Sequence, residues 1–154
     1  MVFVYIASND VVASTYIQDA SGVCMATECA EITRYCTLQG TDSTVKKYAG
    51  YMTALMLAVK HLEKLQALRK FGYNDTVRLY IPSKVVYNWF KTKSPNNYVG
   101  EFETLYTRMV NLMPTIEFVC SVDGQKINKA IPLCEKGNVL HNENYTFIKE
   151  EMYI

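Results

Sequence analysis

The chain has 154 residues, of which 49% are hydrophobic and 20% charged, and its net charge is +1. That is the size of one ordinary domain, with enough apolar material for one core and no need of a metal or disulfide staple. It also excludes a membrane helix, which needs roughly 20 apolar residues; the longest apolar run here, Ala54–Val59, is far shorter.

The first residues, MVFVYIASND, lack both a positive leader and a long apolar run, so no signal peptide is read and a cytoplasmic location is expected. Residues 2–8, VFVYIAS, are β-branched and aromatic and predict a buried strand. Asn9-Asp10 is a turn signal. Residues 11–18 predict a second strand, closed by the turn Asp19-Ala20-Ser21-Gly22. Residues 30–38, AEITRYCTL, alternate and predict a third. Between them, Val23–Cys29 reads equally as a loop or as a strand extension.

The period then changes. Val45, Tyr48, Met52, Leu55, Val59 and Leu62 follow steps of three and four, which predicts a long helix. Asp42 or Ser43 is its expected N-cap, and Gly72 its expected end. Residues 76–81 predict a fourth strand. Pro82-Ser83 opens a helix through Lys91, with the proline at or near its first turn. Phe102–Leu112 predicts another helix, stopped by Pro114. Residues 115–121 predict a fifth strand, Asp123-Gly124 a turn, and Ile127–Leu133 a short helix. The last twenty residues lack a strong period. The expected organisation is therefore a domain over residues 1–133, with 134–154 as a tail or added element. A meander followed by helices alternating with strands implies a mixed sheet with helices packed on it.

Five cysteines, Cys24, Cys29, Cys36, Cys120 and Cys134, are odd in number and show no CxxC spacing, so free thiols in a reducing compartment are expected. Charge is uneven along the chain: −4 over residues 1–42, +8 over 43–94 and −3 over 95–154. The basic middle is either a phosphate-facing patch or a solvated helix face. His61 and His141 are the two histidines, and neither has a recognisable catalytic partner. His61 is read as a surface or a satisfied helix histidine. No cysteine–histidine spacing matches a zinc site, and there is no GxGxxG or P-loop. Most of the twelve tyrosines suit core edges, and the methionines suit core filling.

The order and lengths resemble the ribonuclease H family over residues 2–133. Ile6-Ala7-Ser8-Asn9 stands where the family's first strand ends in an Asp-Gly-Ser-like motif. Tyr51-Met52-Thr53-Ala54, followed by LMLAVKHL, stands where the long helix starts Glu-Leu-Met-Ala. Ile81-Pro82-Ser83-Lys84-Val85-Val86 stands for Thr-Asp-Ser-x-x-Val, with Trp89 in the next helix. FVCSVDGQKINKA stands for the last strand, loop and short helix, with Asn128 at the fourth acid.

The resemblance implies a ribonuclease H-like α/β fold: a five-stranded mixed sheet in the order 3-2-1-4-5, with helices on both faces. The family's enzymes hold two magnesium ions with four carboxylates. Here those positions are Ala7, Tyr51, Pro82 and Asn128, none of them a carboxylate. Asp10 lies three residues past the first position. Glu63 lies about three helical turns past the second. The implied protein has no catalytic residues, no metal and no cofactor, and Tyr51 and Tyr87 lie near the altered cleft.

Three functions are weighed. The first is an accessory binder of RNA, DNA or nucleoprotein, with Lys46, Lys47, Lys84, Lys91 and Lys93 on phosphates. The second is a protein-interaction or structural module, a homo-oligomer among the options, whose tail His141–Ile148 has an apolar end to pair or dock; no membrane role is expected. The third is a metal-dependent nuclease with a relocated site. Residue choice rich in Asn, Lys, Tyr and Ile suits an AT-rich genome such as a phage's.

Overall fold

The computed structural model describes residues 1–9, 11–34, 36, 43–72, 74–112, 115–121, 128–135 and 150–153. The elements are β1 (Val2–Ser8), β2 (Val12–Asp19), β3 (Cys24–Glu31), a 3-10 turn (Ile32–Arg34), α1 (Ser43–Ala67), β4 (Val77–Ile81), α2 (Lys84–Thr92), α3 (Val99–Leu112), β5 (Ile116–Cys120) and β6 (Glu150–Tyr153). A further short helix covers residues 131–135.

The strands form one sheet in the order β5-β4-β1-β2-β3-β6. β1, β2 and β3 pair antiparallel, whereas β1–β4 and β4–β5 are parallel. The first five strands thus stand in the expected order 3-2-1-4-5. β6 was not expected: it adds to the outer edge of β3, antiparallel, with Ala26 opposite Tyr153 and Cys29 opposite Glu150.

Alternation along the strands divides the sheet into two faces. Val4, Ile6, Ile17, Leu79 and Ile81 face α1, α2 and α3, in a core that includes Met52, Leu55, Val59, Leu62, Phe90 and Leu105. Tyr5, Ala7, Cys29 and Tyr80 belong to a second cluster with Ala130 and Cys134, where residues 128–135 lie. Helices therefore occupy both faces. The six stripe residues of α1 are all buried or half-buried.

Several boundaries differ from the sequence expectation; the short helix expected over Ile127–Leu133 covers residues 131–135, and four others have a visible cause. The third strand occupies Cys24–Glu31, not 30–38. The turn decides this. Asp19 Oδ1 accepts hydrogen bonds from Ser21 N (2.9 Å), Ser21 Oγ (2.6 Å) and Val23 N (3.0 Å), and Gly22 takes φ +89°. So tight a turn starts the ladder at once, and register prevails over the local alternation of AEITRYCTL. α1 ends at Ala67 rather than near Gly72, because Arg69 enters the left-handed region (φ 59°) and Lys70 N bonds back to Leu65 O. Pro82 lies outside α2, whose N-cap is Ser83, with its side chain accepting from Val86 N. α3 begins at Val99, three residues early, because Phe102 N already bonds Tyr98 O. Asp10, Asp42, Pro114, the Asp123-Gly124 turn, Ile127 and the tail 141–148 lie outside the described residues.

Candidate functional site

The place to look is the edge of the sheet where the parallel strands end. The pairing of Tyr5 with Tyr80, carried two residues on, brings Ala7 level with Pro82. α1 reaches the same edge. Gly50 lies so close to Ser8 that a Cβ on it would stand 1.8 Å from Ser8 Oγ and 2.9 Å from Ser8 Cβ. Only a residue without a side chain allows that approach. It delivers Tyr51, the next residue, to the end of β1, where it is 7% exposed. From the other face comes Asn128, whose Nδ2 donates to Ile6 O at 2.8 Å. The four positions drawn from the sequence thus lie around one edge.

A neutral hydrogen-bond network ties this edge together. Asn128 Oδ1 accepts from Ala130 N at 2.9 Å, so both ends of its amide are engaged. Ser14 Oγ donates to Ala130 O at 2.6 Å and lies 3.0 Å from Cys134 Sγ. Asn9 Nδ2 donates to Cys134 O at 3.2 Å, while its Oδ1 accepts from Val11 N and Val12 N, each at 2.8 Å. Burial pushes the Cys134 thiol up to about 11, despite the opposing bond with Ser14. Burial, and secondarily the nearness of Cys134, raises the Tyr51 phenol above its ordinary value. Both groups are therefore uncharged near neutral pH. The sequence reading assigned no bonding role to Asn9, Ser14 or Cys134; it placed Asn9 in the turn and in the first-strand motif, and Cys134 among the free thiols. Their partners are mostly main-chain atoms, which leave no mark in a sequence.

The donor set does not fit two magnesium ions. Magnesium relies on carboxylate oxygens and water, and Ala7, Tyr51, Pro82 and Asn128 supply no carboxylate. Among the described residues, no three His, Cys, Asp or Glu side chains gather as a metal site.

Of the basic residues, Lys84 opens α2 two residues after Pro82, and Lys91 and Lys93 stand at the other end of that helix. Lys84 and Lys91 are two turns apart on one exposed stripe of α2, with Asn88 between them. Lys93 is the left-handed C-cap of α2 (φ 58°), its Nζ 5.8 Å from the centre of the Tyr106 ring. Lys46 and Lys47 sit on the first turns of α1, the former half-buried and the latter exposed. That helix start meets α2 where Tyr48 packs edge-on against Trp89, with ring centres 5.2 Å apart. Tyr87 is half-buried on α2.

The described histidine lies elsewhere. His61 is fully buried, not on the surface, with Nε2 2.5 Å from Glu28 Oε1. Lys60 Nζ is 2.6 Å from the same oxygen. Glu28 pairs in register with Thr15, which pairs with Ile6, so this charged group lies two strands from β1 on the α1 face. It is a core histidine, held through Nε2 by Glu28.

Comparison with solved structures bears on the fold. The chain is similar to a ribonuclease H1 termed LC11, solved in complex with an RNA/DNA hybrid, at a TM-score of 0.58 and 14% identity, over 88% of this chain and 93% of that one. The fold is ribonuclease H-like. A second LC11 structure, of the enzyme isolated from compost, matches at 0.53 and 15% identity over 92% and 91% of the two chains. The N-terminal ribonuclease H domain of a Mycobacterium tuberculosis protein matches at 0.50 and 14% identity over 88% and 94%. No protein-family model and no curated protein sequence matches the chain. Among the described residues, no helix is long and apolar enough to cross a membrane.

Proposed function

We propose that this chain is a non-catalytic ribonuclease H-like protein that binds nucleic acid along α2 and the start of α1. One observation carries the reading: Lys84 and Lys91 share an exposed stripe of α2, the helix that starts two residues after Pro82, and the hydrogen bonds that Asn128 makes at that end of the sheet join uncharged groups. A carboxylate-lined cleft repels phosphates unless cations intervene. A neutral one leaves lysine attraction unopposed. Lys46, Lys47 and Lys93 extend the positive rim. The hybrid bound by LC11 ribonuclease H1 supports an RNA or DNA partner for the shared fold. The five thiols, none in a disulfide, support a reducing, cytoplasmic setting.

The test is fluorescence anisotropy with labelled RNA, DNA and hybrid over a salt series. Binding should weaken linearly on a log–log plot. Lys84→Glu and Lys91→Glu should each lower affinity and reduce the salt slope by about one. Negligible, salt-insensitive binding would remove the reading. Magnesium- or manganese-dependent cleavage would replace it with the relocated-site nuclease.

A further inference from the structure

We infer that the cleft of this chain takes no divalent cation, and that its polar groups form instead a neutral clasp that fastens residues 128–135 to β1 and β2. This deepens the non-catalytic half of the reading above and is independent of its nucleic-acid half.

The chemistry of the Asn128 amide carries the argument. Its Nδ2 must donate, because what faces it is the Ile6 carbonyl oxygen, 2.8 Å away. A carboxylate at this position would set oxygen against oxygen. Its Oδ1 is committed to Ala130 N, in the manner of a residue that opens a helical turn. Ile131 N, bonded to Asn128 O, and Cys134 N, bonded to Ala130 O, continue that turn. Nδ2, a donor, cannot ligate a cation, and one of the two lone pairs of Oδ1 is already taken.

The neighbouring contacts are of the same kind. Ser14 grips the turn through Ala130 O and Asn9 grips it through Cys134 O. Three side chains from three places in the chain thus hold one short segment, and every bond is between uncharged groups. Four carboxylates in the same space would repel one another and would need cations to neutralise them. Here the walls of the cleft are joined without any.

Two measurements on the full chain test this. In the first, manganese is titrated while free ion is followed by electron paramagnetic resonance, with thermal unfolding in magnesium, in manganese and in sodium chloride of matched ionic strength. The clasp predicts no saturable manganese uptake at millimolar concentrations and the same midpoint in all three salts. Stoichiometric uptake, or a midpoint raised by the divalent ions alone, overturns it. In the second, Asn128→Asp should unfold at lower temperature than the parent, with no recovery in manganese. A variant that gains manganese uptake and is stabilised by it overturns the clasp. Should Asn128→Asp fail to fold, Ser14→Ala serves: amides of residues 130–134 should exchange severalfold faster, and unchanged exchange there overturns the clasp. A chain that takes up no manganese and binds no nucleic acid keeps the clasp and loses the binding proposal. Manganese uptake sinks the clasp whether or not nucleic acid binds.

Discussion

Helix α1 meets the sheet at two places with opposite electrostatics. Around Gly50 and Tyr51 the contacts are neutral: hydroxyls, amides and a protonated thiol. Three turns further on, Lys60 and His61 close over Glu28, a carboxylate with no exposure at all. Among the described residues, uncharged groups thus make the hydrogen bonds at the first place, and a carboxylate with two nitrogen partners fills the second. The fold accommodates both, provided buried polar atoms find partners. What differs is the penalty for error: truncating one member of a buried ion pair is far costlier than losing one neutral hydrogen bond.

That contrast can be broken at several points. The largest effect is expected from Glu28→Ala, which removes the carboxylate that Lys60 and His61 share. A loss of about 3–5 kcal/mol in urea unfolding is expected, and a loss below 1 kcal/mol would show the charged site to be no more demanding than the neutral one. Gly50→Ala should come next, at about 1–3 kcal/mol, since the added methyl meets Ser8 and α1 must shift. If α1 moves as a unit, the Tyr51 environment changes too, which near-ultraviolet circular dichroism would detect.

Alkaline pH probes the buried thiols. Burial pushes Cys134 up to about 11 and Cys36 up to about 12 from an ordinary 9.0. The folded state therefore keeps these protons after the unfolded chain has released them. Their contribution is complete below pH 9 and is lost as pH rises through 11 to 12. Each thiol should account for part of that decline, Cys36 for the larger share. Cys134→Ala should flatten the denaturation-versus-pH curve, and an unaltered slope would rule the thiol out. The smallest effect belongs to Arg108→Ala, which breaks a part-exposed pair with Glu63. Solvent screening holds that pair to about 0.5 kcal/mol, so a larger change would place it with Glu28.

Much of this fold was legible because apolar periodicity is a local signal. VFVYIAS and the α1 stripe are read directly, and the order they imply leaves few topologies. β3 was misplaced because CMATECAE is weak in strand formers, while AEITRYCTL alternates well. The pairing was decided outside both, by Asp19 and Gly22. β6 was missed because Glu150–Tyr153 has no alternation of its own; its partner strand lies more than a hundred residues away. At the site, position was legible and bonding was not. Asn128 could be placed by resemblance, but its engagement of Ile6 O depends on a main-chain oxygen. The Glu28–His61 contact joins residues 33 apart in sequence, and nothing in either neighbourhood announces it.

The late pairing of β3 with β6 bears on how the molecule assembles. The β1–β2–β3 meander closes through short hairpins and can zip early, whereas the contact of Ala26 with Tyr153 closes one of the longest loops in the chain. Until that happens β3 is a bare edge, open to strands of other molecules. Refolding should therefore show its sharpest dependence on protein concentration before the β6 amides become protected, an order that pulse-labelled hydrogen exchange can read strand by strand.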